Sequence, residues 1–172
     1  MLTVLIIILA LSGVVYGLKN KSVPYTPLPH FEIERYMGLW YEIARIDHRF
    51  QRDTEHVTAE YRLLDNGSIK VTNTGYDKRT GRRRRIVGKA KATSVVGHLR
   101  VSFFPLVYAD YNIIALGDDY EYALVGGSSP QYLWILARTT DLPPAAADKL
   151  VAIAREKGYD TDKLIFTGQK RM

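Results

Sequence analysis

The chain has 172 residues, a net charge of +6 and no cysteine. That length is one domain's worth, with enough apolar material for a real core, and the absent thiols exclude disulfides and thiolate zinc sites. A hydrophobic fraction of 47% excludes a disordered chain, while the basic balance suits anionic lipid headgroups, acidic ligands or nucleic acid and says nothing about fold.

Residues 4–15 form an apolar run too short for a comfortable membrane span but suited to the core of a signal peptide. Val15, Tyr16 and Gly17 offer cleavage positions, so 1–17 is expected to direct export, with an uncleaved membrane anchor as the alternative. The expected destination is secretion or the periplasm, with membrane association left open. A lipid-modified N-terminus would need a cysteine after the apolar run, which this sequence lacks. Residues 18–30, with Pro24, Pro27 and Pro29, read as a linker, and a single domain is expected over 31–172.

Glu34-Arg35-Tyr36 gives a one-turn helical signal, and Gly38-Leu39-Trp40-Tyr41 then opens a first strand over 40–47. Seven further alternating segments follow at even spacing, at 57–64, 68–76, 86–93, 99–103, 111–116, 120–125 and 132–138. Asp65-Asn66-Gly67 is a strong hairpin signal, because asparagine and glycine tolerate positive φ; residues 77–81 make the next turn. Alternation places Ala59, Tyr61, Val71 and Asn73 on one face, joined by Gly88, Ala90, Val101 and Phe103. The same face continues through Tyr111, Ile113, Ala123, Val125, Trp134 and Leu136. Its small residues, Ala59, Gly88, Ala90 and Ala123, leave space rather than fill it; the alternative is an interior packed solid by Phe103, Trp134, Tyr61 and Tyr111.

The last three segments are apolar on both faces and require an outer cover. A helix supplies it, with Asp141 as its cap, prolines in the first turn, a stripe of Leu150, Ile153 and Ala154, and a stop at Gly158. A short ninth strand fits at 164–167. The whole pattern predicts an all-β fold, an eight-stranded antiparallel up-and-down β-barrel with one C-terminal α-helix packed outside. An open sandwich is the structural alternative. In a closed barrel, Arg138 at the end of the eighth strand comes over the Trp40 indole as a cation–π lid.

Three short stretches, Gly38-Leu39-Trp40-Tyr41, Asp118-Asp119-Tyr120 before the seventh strand, and Arg138 closing the eighth, resemble the three signatures of lipocalins. Trp40-Tyr41-Glu42-Ile43-Ala44-Arg45 and Trp134-Ile135-Leu136-Ala137-Arg138 resemble in particular the bacterial lipocalin and apolipoprotein D branch. Asp118 stands where that middle signature usually has threonine. The resemblance implies a calyx sealed near Trp40 and open at the far end, holding a fatty acid, lysophospholipid or similar lipid. Gly38, Trp40, Asp119, Tyr120 and Arg138 are then structural. The family scheme puts the Arg82–Arg85 hairpin at the closed end. The loop after the first strand crosses the mouth, which makes Arg45, His48, Arg49 and Arg52 the candidates for a lipid phosphate or carboxylate.

Glu42 shares the inward parity of Trp40, and a buried carboxylate needs a partner, Arg138 or a tyrosine hydroxyl among the candidates; the alternative is a bulge that turns it to solvent or to the barrel rim. The four histidines are scattered, no nucleophile elbow is present, and neither a metal nor a cofactor is called for. The expectation is a binding protein rather than an enzyme. The rival readings are an enzyme acting on a lipid or epoxide inside the calyx and a protein-interaction module built from the loops. The arginine run has no aromatic stacking platform beside it, so nucleic acid is not an expected partner. An anionic membrane surface and a homodimer both stay open.

Overall fold

The computed structural model describes residues 22–47 and 51–169. The expected export segment 1–17, together with His48 and Arg49, lies outside the described residues. A four-residue helix, α1 (Ile33–Tyr36), leads into β1 (Gly38–Ile46), followed by β2 (Thr54–Leu63), β3 (Ile69–Asp77), β4 (Arg83–Ala92) and β5 (His98–Phe104). β6 (Val107–Leu116), β7 (Tyr122–Gly126) and β8 (Leu133–Ala137) complete the run. Each strand is antiparallel to the next, and β1 pairs with both β2 and β8. The sheet therefore closes into a barrel, and the sandwich alternative is excluded. A short β9 (Leu164–Phe166) extends the sheet by pairing with the far half of β1.

The turns follow the local chemistry. Gly67 takes φ 76° and its N–H donates to Leu64 O. In the next turn the Asp77 carboxylate accepts from the Arg79 and Thr80 backbone N–H groups and from the Thr80 hydroxyl. The seventh strand starts at Tyr122 rather than at residue 120: Tyr120 sits in the preceding turn at φ 58°, its N–H donating to Gly117 O. The proline-containing stretch docks on the barrel instead of hanging free. The Tyr25 hydroxyl donates to Val96 O at 2.7 Å, and Leu28 packs on the interior core.

Two apolar layers share the sheet. Inside lie Trp40, Tyr61, Val71, Ala90, Val101, Ile113, Ala123 and Val125. Outside, Leu124, Leu133, Ile135 and Ala137 meet Leu150 and Ala154 of α2 (Pro144–Glu156). The expected Asp141 cap is displaced, because Pro143 occupies the N-cap position and Pro144 the first helical one. The helix ends in a Schellman motif: Gly158 at φ 91° donates to Arg155 O, and the Tyr159 N–H reaches back to Ala154 O.

Strand direction settles which end each loop occupies. β1 runs away from the Trp40 end, so its loop to β2 lies at the mouth, the β2–β3 turn at the base, and the β3–β4 turn at the mouth again. The arginine hairpin is therefore a mouth loop, and its expected place at the closed end is corrected. The register Thr54↔Asp77 puts the start of β2, just past the 47–53 loop, level with that hairpin.

Candidate functional site

The base of the barrel is an aromatic seal. Trp40 and Tyr36 are both fully buried, with ring centroids 4.8 Å apart, and the Trp40 indole N–H donates to Tyr36 O at 2.8 Å. The Arg138 guanidinium lies 3.9 Å from the Trp40 ring centroid. It donates to Leu39 O at 2.9 Å, Arg35 O at 2.8 Å and Tyr120 O at 3.3 Å. Gly38 is required twice over, by φ 96° and because a Cβ there would lie 3.3 Å from Arg138 Nη1. The Tyr120 hydroxyl accepts from the Glu32 N–H, and Arg35 covers its ring at 4.2 Å. Asp119 is exposed, 3.9 Å from Arg35. All five signature residues thus converge on the closed end, four of them in the seal itself.

Above the seal the barrel is hollow. The void is about 650 Å³ including its solvent-open mouth, of which about 80 Å³ admits the centre of a water molecule. Ala59, Tyr61, Val71, Asn73, Val101, Phe103, Tyr111, Val125, Trp134 and Leu136 line it, as alternation places them, together with Val57. Four residues expected on the wall are not there. Ala90, Ile113 and Ala123 are fully buried in the packed base below the void. At Gly88 a Cβ would land on the Phe103 ring, with Ser102 O 2.5 Å away. The glycine therefore makes room for a phenylalanine and leaves none for a ligand.

Polar groups reach the wall at two places. Low in the cavity Tyr111 joins the hydroxyls of Tyr36 and Tyr61 at 2.7 and 2.8 Å. Burial pushes the Tyr61 phenol up to about 12, and those of Tyr36 and Tyr111 are raised as well, so the cluster is neutral at physiological pH. Nearby, Asn73 Oδ1 is buried and makes no hydrogen bond among the described residues. Toward the mouth, Glu42 and Gln51 face the cavity. Gln51 ties the mouth loop to the wall, its amide N–H donating to Glu42 Oε2 at 3.3 Å and its Oε1 accepting from the Trp134 indole at 3.1 Å.

The partner of Glu42 is Arg45, at 2.6 Å, and neither Arg138 nor a tyrosine. Strict alternation would put residues 42 and 45 on opposite faces. A bulge between Glu42 and Ala44 resets the register, so Ile43 and Ala44 both turn outward and Arg45 turns in. Nothing in the sequence marks that bulge. Arg45 is fully buried and also donates to Gln51 O and Thr54 O, so its guanidinium is committed to holding the mouth loop. Its expected role as a headgroup ligand is corrected on that ground. Desolvation raises the Glu42 carboxyl above its ordinary range, with Arg45 opposing the shift. Arg52 is exposed and 3.5 Å from Asp47.

A sealed base, a hollow apolar shaft and a loop-ringed mouth define an up-and-down barrel that takes up a small hydrophobic ligand. A family model described as a lipocalin-like domain matches residues 31–169, and the chain belongs to the lipocalins. Within them it sits on the bacterial Blc and apolipoprotein D-like branch. It is 41% identical over 147 residues to the outer membrane lipoprotein Blc of Vibrio cholerae, covering 84% of this chain and 86% of that one. The Escherichia coli K12 protein of the same name is 43% identical over 146 residues, covering 84% and 82%. Mouse apolipoprotein D is 33% identical over 186 residues, covering 98% and 96%. Among solved structures, insecticyanin from the tobacco hornworm Manduca sexta superposes with a TM-score of 0.70 at 18% identity, over 86% of each chain.

Proposed function

We propose that the chain is an exported carrier that sequesters one single-chain lipid, a fatty acid or lysophospholipid, with the acyl chain in the calyx and the headgroup at the mouth. The observation that carries this reading is the void above the Trp40 seal, walled by Val57, Val71, Val101, Phe103, Val125 and Leu136. Removing several hundred Å² of acyl surface from water at ~25 cal/mol per Å² supports micromolar affinity after association costs. A headgroup is held at the rim by exposed loop residues such as Arg52. Export follows the expected leader and the relatives named as outer membrane lipoproteins.

The chain has two tryptophans, one beneath Arg138 and one on the cavity wall. Titrating delipidated protein with palmitate and with lysophosphatidylcholine is expected to change Trp134 fluorescence at one equivalent. The Trp134→Phe variant is expected to lose the signal while still binding. No change with either lipid, and no lipid recovered by extraction, contradicts the carrier reading; a chemically altered lipid would favour the enzyme.

A further inference from the structure

Beyond a ligand inside the barrel, we infer that the mouth itself is a docking surface for an anionic lipid bilayer. Lys78, Arg79, Arg82, Arg83 and Arg85 are all exposed on the β3–β4 hairpin and the start of β4, at the same end as the 47–53 loop. Among the described residues none of these five takes part in an ion pair. Only Arg84 does, with Asp77. The turn is built by Asp77, Thr80 and Gly81, so the remaining cations are not needed to form it. Among the described residues of the 47–55 and 160–163 segments the charges largely cancel, Arg52 with Asp47 and Lys163 with Asp160, leaving Asp53, Glu55 and Asp162 against the five cations.

An apolar tip stands at the same end. Leu106, in the β5–β6 hairpin, is 95% exposed and holds φ 66°. A bulky residue in the left-handed region is a backbone outlier, where glycine or asparagine would relieve strain and avoid showing leucine to water. Folding has no use for a leucine there. Insertion into the acyl region of a bilayer does. Neighbouring Val107 is also exposed, and the Ser128–Gln131 loop at the same rim carries no charge. Cations to meet headgroups and an apolar tip to enter below them are the two signals of reversible membrane association. The closed end lies about a ten-residue strand away, roughly 30 Å, so only the mouth feels the surface field.

Docking is measured without ligand, so it stands or falls separately from the carrier reading. Cosedimentation with vesicles of phosphatidylcholine alone, or of phosphatidylcholine with phosphatidylglycerol, is expected to show salt-sensitive binding to the anionic vesicles only. The Arg79→Glu/Arg82→Glu variant is expected to bind at least about 25-fold more weakly, from about five-fold per cation at a charged surface. The matched Arg62→Glu/Lys91→Glu variant makes the same net-charge change at the base and is expected to stay within about two-fold of the parent protein. Leu106→Asn, which relieves the backbone, is expected to keep or raise the denaturation midpoint and to weaken vesicle binding about ten-fold. Equal losses from the two charge pairs, equal binding to both vesicle types, or tighter binding to a single-stranded oligonucleotide than to anionic vesicles would each overturn the proposal.

Discussion

At Arg138 one side chain joins three carbonyls and an indole across about a hundred residues of chain. Replacing it with alanine is expected to lower stability by about 1–2 kcal/mol, the scale of a partly desolvated cation–π contact, and to leave lipid affinity alone, since the seal lies below the void. A denaturation midpoint equal to that of the parent protein would contradict the pairing. At Gly88 an alanine methyl would strike the Phe103 ring and Ser102 O. Overpacking of that kind costs about 1–3 kcal/mol, checked by urea denaturation of Gly88→Ala. Glu42 gives a pH signature. Its carboxyl is raised in the fold, so its titration contributes stability below the ordinary carboxylate range that is lost as pH rises through the shifted value. Glu42→Gln removes that dependence and strands a buried guanidinium, costing about 3–5 kcal/mol. The gap between the parent protein and the variant is expected to narrow as pH rises from 4.5, the carboxyl's ordinary value. A gap that widens over that interval would contradict the raised carboxyl.

At the scale of the element, the inward faces of the strands were largely legible because alternation is set by the pleat and needs no tertiary information. Val71 and Asn73 on β3, or Val101 and Phe103 on β5, stand where parity puts them. What escaped depends on three-dimensional facts. The β1 bulge is one, since two consecutive outward residues, Ile43 and Ala44, are apolar in either reading and only the cover by α2 distinguishes them. The depth of the void is another: Ala90 and Ala123 share the parity of Ala59, but they lie where the barrel is packed solid. Strand count fixes the end at which the arginine hairpin sits, and following the chain direction from β1 suffices to place it. The α2 stripe of Leu150 and Ala154 was legible from its spacing, and it faces the outside of the sheet. Leu150→Ala is therefore expected to cost about 2–5 kcal/mol with no change in lipid uptake, measured by denaturation and ligand titration on the same sample.

Taken whole, the molecule divides its labour along the barrel axis. The base is tied by Trp40, Tyr36 and Arg138. The shaft is apolar with a few neutral polar groups, and the Glu42–Arg45–Gln51 network fastens the mouth loop to its rim. Filling the shaft without disturbing the base separates carriage from folding. Ala59→Trp, on the void wall, is expected to abolish lipid uptake while the denaturation midpoint moves little. Retained uptake would mean that the ligand does not occupy the shaft. The most direct measurement is native mass spectrometry of the protein purified from its own host, followed by extraction of whatever travels with it. The account predicts one equivalent of a fatty acid or lysophospholipid in the parent protein and none in Ala59→Trp. A bare protein mass that takes up nothing from a panel of such lipids would contradict it.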